Sequence, residues 1–191
     1  MKKLVTLFMA LILALGLCTL AETDETFFTQ LEGLEWSFSS GAGAWSTDMR
    51  IRSDGSFSGE YHDSEMGESG KDYPYGTIYC CSFSGRLRLQ EKVGENSWKV
   101  RIEELKPDES QEAEVIEEGI RFVAAVPYGL SEGDEMILFC PGTPLEELTE
   151  DMLMWAHQLG QENVTGELQN WFLYSEKNES GFVGERFDDM L

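Results

Sequence analysis

The sequence is poor in basic residues, and it has few long apolar runs. Its 14 Lys and Arg stand against 36 Asp and Glu, which gives a formal net charge of −22. Such a negative surface repels phosphate backbones and anionic bilayers. This charge disfavours nucleic-acid binding through a basic patch and attachment to a membrane surface through basic residues. No apolar run after the N-terminal segment reaches transmembrane length, so we predict no transmembrane segment in the mature chain.

Signatures of cofactor and metal sites are also missing. The chain has no Cys-x-x-Cys pair and no phosphate-binding Gly-rich loop ending in Gly-Lys-Ser or Gly-Lys-Thr, and it has only two His. We therefore predict no cofactor. Apolar residues make up 41% of the chain and aromatic residues 12%, which is enough for a folded core.

The first 21 residues have the pattern of an export signal. A short basic start leads into an apolar run over residues 4–17, which is too short to span a bilayer comfortably. We expect cleavage after Ala21, which leaves residues 22–191 as one acidic, β-rich, secreted domain. The alternative is lipid attachment at Cys18, which would anchor the protein to the cell envelope.

Three cysteines follow the export signal, at Cys80, Cys81 and Cys140. Outside the cytosol, cysteines tend to pair. Neighbours on a strand point to opposite faces, so only one of Cys80 and Cys81 faces inward. The sequence leaves two alternatives open: a disulfide between Cys81 and Cys140, or three reduced cysteines that act as small apolar residues.

Most of the chain alternates between apolar and polar residues with period two, which is typical of half-buried strands. Residues 46–62 predict a hairpin around the turn Asp54-Gly55. The same alternation predicts further strands at 79–89, 98–103, 120–126, 136–140 and 168–174, with short ones near Val115 and Phe182.

Helical periodicity is found only late in the chain. Thr143-Pro144 has the form of a helix start, and apolar residues then recur at three- and four-residue spacing until Gly160. This predicts one helix, or two short ones, packed on the sheet. The fold class is therefore mainly β: an antiparallel meander that closes into a barrel or sandwich, with one late helical segment.

Several stretches together resemble an uncharacterised domain of secreted proteins and lipoproteins from Gram-positive bacteria. They are residues 36–47, 54–63, 73–79 and 127–130. The resemblance covers roughly residues 30–145 and implies no substrate, cofactor or catalytic residue. Gly43-Ala44-Trp45 is also similar to the Gly-x-Trp opening of lipocalin-like barrels, which implies an apolar ligand inside a barrel.

Aromatic side chains near the loops are the candidate ligand-binding residues, because Trp and Tyr stack on sugars and on apolar ligands. The candidates are Trp36, Trp45, Tyr61, Tyr73, Tyr75 and Tyr128. The small residues of 39–45 would place a flexible loop at the rim of the barrel. The simpler interpretation of that loop is close backbone packing where a strand begins.

Acidic residues near His62 form the second candidate site. Glu60 and His62 share a strand face, and Asp63 follows at the start of a loop, so the three are candidate metal ligands. A hydrolase that uses Glu60 and Asp63 as an acidic pair is a further alternative. In so acidic a chain, a solvated loop explains the same residues.

Taken together, these patterns favour a non-enzymatic module that is secreted or associated with the cell envelope. Its partner would be a small molecule, a glycan or a protein, bound through aromatic and acidic loops at one end of the barrel.

Overall fold

Antiparallel strands make up most of the chain in the computed structural model, which describes residues 24–108, 112–157 and 166–186. The strands are β1 (Leu34–Ser39), β2 (Trp45–Ile51), β3 (Ser56–Glu65), β4 (Thr77–Lys92), β5 (Ser97–Pro107), β6 (Glu114–Glu117), β7 (Ile120–Ala124), β8 (Glu135–Phe139), β9 (Trp171–Ser175) and β10 (Ser180–Arg186). The helices are α1 (Asp24–Phe28) and α2 (Glu150–Trp155).

Eight of these strands close into a barrel. Their order is β3-β2-β1-β10-β9-β8-β5-β4, and β3 pairs with β4 to complete the ring. Every pairing around the ring is antiparallel. The remaining hairpin, β6–β7, joins the first residues of β4 through a parallel pairing. The prediction of a mainly β, antiparallel barrel is confirmed.

The barrel interior is filled by the apolar side of the alternating pattern. Met49, Phe57, Phe83 and Val100 lie on four different strands, and all belong to one buried cluster. The hairpin predicted at 46–62 forms, and Ile51 pairs with Phe57 across it. The alternation in the sequence therefore separates the wall's inner side from its outer side correctly.

Strand β1 ends where the loop predicted at residues 39–45 begins, and the sequence analysis predicted no strand for it. It pairs with β2 on one edge and with β10 on the other, so it links the two ends of the chain. Leu34, Trp36 and Phe38 point inward and are at most 3% exposed. The short alternation Leu-Glu-Trp-Ser-Phe-Ser is the signal that predicts this strand.

A short N-terminal segment closes one end of the barrel. Helix α1 and the following 3-10 turn, Thr29–Leu31, place Phe27, Phe28 and Leu31 fully out of solvent. The Phe27 ring centroid lies 5.3 Å from that of Trp98, at the start of β5. We call Phe27, Phe28 and Leu31 the plug.

The late helical segment begins at a different residue from the one the sequence predicts. Thr149 is the N-cap of α2, and its hydroxyl accepts a hydrogen bond from Met152 N at 3.3 Å. Thr143 instead donates to the carbonyl oxygen of Cys140 at 2.7 Å. A 3-10 turn at Leu145–Glu147 separates the two, because Leu148 is extended with ψ 143°. The helical segment is thus two short pieces.

The helical segment covers the outside of the barrel wall at β8, β9 and β10. It packs on a second apolar cluster that includes Phe139, Phe172, Tyr174 and Val183. The Tyr174 hydroxyl donates to Asp151 Oδ2 at 2.5 Å, which ties α2 to β9. These strands are apolar on both faces because both faces are covered.

Of the two alternatives for the cysteines, the structure has the reduced one: the bridge between Cys81 and Cys140 is not formed, and Cys80, Cys81 and Cys140 are free. Cys81 pairs with Tyr61 midway along the wall, whereas Cys140 N donates to Asn96 O beside the start of β5. The strand length between these points is on the order of 30 Å, and a disulfide requires Cα atoms within about 7 Å. Cys18 and the export signal lie outside the described residues.

Candidate functional site

Aromatic rings gather at the end of the barrel opposite the plug. The Phe38 ring centroid lies 4.8 Å from Trp45, 4.8 Å from Trp155 and 5.5 Å from Tyr128. Trp45 and Tyr128 meet edge to face at 5.2 Å. We call this end, with Phe38, Trp45, Tyr128 and Trp155, the mouth.

Residues 127–130 cross the mouth and are held in place by their backbone. The Thr47 hydroxyl donates to Tyr128 O at 2.8 Å, and the Ser180 hydroxyl donates to Gly129 O at 2.7 Å. Gly129 has φ +83°, and a Cβ there would lie 2.8 Å from the Phe38 ring. Only glycine fits that position without strain. The mouth therefore has a fixed backbone.

A buried carboxylate secures the strand ends beside this segment. Asp134 is 2% exposed, and its Oδ2 accepts hydrogen bonds from the Ser175 hydroxyl at 2.5 Å and from Asn178 Nδ2 at 2.7 Å. Asn178 Nδ2 also donates to the Ser131 hydroxyl at 3.1 Å. Buried polar groups are stable when paired in this way. The network joins the start of β8 to the β9–β10 turn.

A groove runs along the outer edge of the mouth, with a volume of about 530 Å³. Its lining consists of Tyr61, Tyr79, Asn178 and residues 124–130. Tyr128 is 50% exposed and Val126 is 71% exposed. The groove thus combines apolar contact area with polar groups at its edge, as ligand sites do.

Tyr61 provides a hydroxyl that remains protonated. Partial burial, with the nearby Asp63 carboxylate as a second cause, raises the pKa of Tyr61 to about 12. A phenol with this pKa is a hydrogen-bond donor at every physiological pH.

The six aromatic candidates divide into three groups. Trp45, Tyr61 and Tyr128 lie at the mouth or its groove, whereas Trp36 is fully buried inside the barrel. Tyr73 lies beneath the Arg121 guanidinium, 4.6 Å from its ring centroid, and Tyr75 packs against Gly119. The loop between β3 and β4 folds towards the β6–β7 hairpin, so these two tyrosines do not line the groove.

The acidic candidates are separated by the alternation of β3. Glu60 and His62 point outward, whereas Asp63 lies on the inner side with Tyr61. Within the described ranges, no group of three or more His, Cys, Asp or Glu is arranged to hold a metal ion. Glu60 and Asp63 also do not face each other across one cleft, as an acidic pair in a hydrolase does.

The sequence analysis missed the residues of the mouth that come from parts of the chain remote from Phe38 and Trp45. In the sequence, Trp155 has the spacing of the apolar face of a helix, but in the structure its ring contacts that of Phe38. Sequence reasoning also passed over the Gly-x-Ser-x-Gly spacing at residues 129–133. In the structure this stretch is a loop between strands, and the Ser131 hydroxyl accepts from Lys177 Nζ at 3.1 Å. It is not the strand-to-helix turn that presents a nucleophilic serine.

Comparisons with protein-family models, with curated proteins and with solved structures give no match to this chain. The resemblances drawn from the sequence therefore remain predictions. Among the residues that the structure describes, no helix has the length and apolar character needed to cross a membrane.

Proposed function

We propose that this protein is a non-enzymatic, exported binding module, and that its ligand occupies the groove at the mouth. The observation that carries the proposal is the exposure of Tyr128 and Val126 on a backbone fixed by two hydrogen bonds. A fixed, exposed aromatic ring loses little entropy on binding. The leader-like residues 1–21 support export.

The interior of the barrel is an unfavourable place for the ligand. Trp36, Phe38, Phe57 and Phe83 fill it and are at most 4% exposed. A lipocalin-like carrier instead keeps a lumen for its ligand. The ligand of this protein therefore contacts the mouth from outside.

The chemistry of the groove favours an uncharged small molecule with one flat apolar face, such as a sugar ring. Tyr128, Val126 and Pro127 offer apolar contact, and the Tyr61 hydroxyl and Asn178 add polar groups. A net charge of −22 disfavours anionic ligands.

Fluorescence titration with Nile red, an uncharged planar dye, tests the proposal. Tyr128→Ala is expected to weaken binding about tenfold, as loss of a central aromatic contact does. Tyr75→Ala is the matched control, because Tyr75 is 63% exposed but lies outside the groove. Displacement of the dye by uncharged oligosaccharides then tests sugar binding. Equal binding by the two variants would refute the site.

A further inference from the structure

A second groove lies on the outer face of the wall formed by β1 to β4, with a volume of about 860 Å³. A row of side chains from three neighbouring strands reaches this groove, which His62 and Cys80 line. Ser46 pairs with His62, and His62 pairs with Cys80, so hydroxyl, imidazole and thiol stand side by side. Directly opposed residues have Cβ atoms about 4.5 to 5.5 Å apart.

Hydrogen bonds in this row determine which nitrogen of His62 carries its proton. The Ser46 hydroxyl donates to Asp48 Oδ2 at 2.5 Å, and Ser46 Oγ lies 3.2 Å from His62 Nδ1. A hydroxyl has one proton to donate, and that of Ser46 is in the hydrogen bond to Asp48. Nδ1 of His62 must therefore be the donor to Ser46. In the neutral imidazole, Nε2 is then the nitrogen with a free lone pair.

The position of Ser46 also determines where that lone pair points. Ser46 lies on β2, on one side of His62, and Cys80 lies on β4, on the other side. The two ring nitrogens face roughly opposite directions. Because Nδ1 is turned to Ser46, we infer that Nε2 is directed to the side of Cys80. This is the order of an orienting group, a base and a nucleophile.

The other two described cysteines differ from Cys80 in their surroundings. Cys81 is 4% exposed, and burial raises its pKa to about 11. Burial also raises the pKa of Cys140. Cys80 is half-buried and lines the groove. A reactive thiol needs access to its reagent and a neighbouring base. For Cys80 the groove gives the access, and His62 is the neighbouring base.

We propose that Cys80 is a nucleophilic thiol that forms a mixed disulfide with a cationic disulfide, and that His62 is its base. His62 Nε2 takes the thiol proton, and the Cys80 thiolate attacks one sulfur of the disulfide. The S–S bond of the reagent breaks as the new one forms, and the released thiolate takes the proton from His62. Cys80 is oxidised, and the released half of the reagent is reduced. Ser46 and Asp48 are positioning residues.

The charge of the groove selects a cationic reagent. Asp48, Glu60 and Asp108 line it, while Arg50, its basic residue, is paired with Glu35. The carboxylates attract a cation and stabilise the imidazolium that forms during the reaction. This site lies on the outer wall, apart from the mouth, and does not depend on the function proposed there.

Mass spectrometry of the reduced full-length protein with iodoacetamide at neutral pH tests the nucleophile. We expect Cys80 to react at least about tenfold faster than Cys140. Cys80→Ser and Cys81→Ser variants assign the fast thiol, because both cysteines fall in one peptide. His62→Gln and Ser46→Ala are expected to slow the alkylation of Cys80. Ser46→Thr keeps a hydroxyl at this position, so its alkylation rate should be close to that of the parent. Ser84→Ala, on the same outer face but outside the groove, is the control.

Cystamine and 3,3′-dithiodipropionate, a cationic and an anionic disulfide, test the charge selection. At low salt, cystamine is expected to form the mixed disulfide at Cys80 several-fold faster, with the difference reduced by added salt. Equal rates would overturn the cationic preference. A Cys80 that reacts no faster than Cys140, or a rate unchanged by His62→Gln, would overturn the thiol site itself.

Discussion

The two ends of the barrel are closed by different means. At one end, the plug closes the barrel with Phe27, Phe28 and Leu31, all at 0% exposure. At the other end, the mouth is crossed by residues 127–130, whose carbonyl groups accept hydrogen bonds from Thr47 and Ser180. Apolar packing is non-directional, and the plug residues are fully buried, so these side chains offer no surface to a ligand. Closure by backbone hydrogen bonds fixes a loop in space and leaves its side chains outside, where a ligand can reach them.

The largest change in the free energy of unfolding is expected for a substitution in the plug. Phe28→Ala should lower the free energy of unfolding by about 3 to 5 kcal/mol, because a fully buried ring is lost and a cavity remains. Urea denaturation measures this change. Tyr75→Ala, at an exposed tyrosine, should change stability by less than about 0.5 kcal/mol. A loss below about 1 kcal/mol for Phe28→Ala would show that the plug is not part of the core.

A smaller and more local effect is expected beside the mouth. Asp134→Ala removes the buried carboxylate that accepts hydrogen bonds from Ser175 and Asn178, so it should cost about 2 kcal/mol. Hydrogen exchange should rise in residues 127–130 and in the β9–β10 turn, but not in the plug. Glu117→Ala, at an exposed acid, is the control. Equal exchange increases at both ends would contradict the independence of the two closures.

The smallest effect is the change of stability with pH that the titration of Tyr61 causes. The pKa of Tyr61 is about 12 in the folded protein, against about 10 in an unfolded chain. Between these values the unfolded state has released the proton and the folded state still holds it. Stability should therefore fall as the pH rises from about 10 to about 12, and it should not depend on the titration of Tyr61 below that range.

Comparison of the parent and Tyr61→Phe isolates this effect. The difference in tyrosinate absorbance between the two proteins should titrate near pH 12, and Tyr61→Phe should lose less stability over the same range. A difference titration centred at 10 would mean that Tyr61 is freely solvated at the mouth.

Local patterns made part of the fold predictable. The turn Asp54-Gly55 and the alternation on either side of it determine the β2–β3 hairpin, because all its contacts are close in the chain. The pairing of β1 with β10 joins residues such as Trp36 and Gly184, which are distant in sequence. No period in the sequence specifies such a pairing. The plug was missed because a five-residue helix is too short to show a periodicity.

The candidate site was predictable only as a set of residue types. Aromatic character singles out Tyr73, Tyr75 and Tyr128 equally, and only the path of the chain separates them. Tyr75 follows its loop to Gly119, whereas Tyr128 is brought to the mouth by the hydroxyl of Thr47, which is remote in sequence. The alternation of β3 does separate Glu60 from Asp63, so that division was available from the sequence.

Trp155 is partly buried and packs against both apolar clusters, the outer one around Phe172 and the inner one that includes Phe38. One indole thus joins the external helical cover to the mouth. The Phe38 ring, which Trp155 contacts, also contacts Tyr128. The packing of the external cover and that of the mouth therefore share the ring of Phe38.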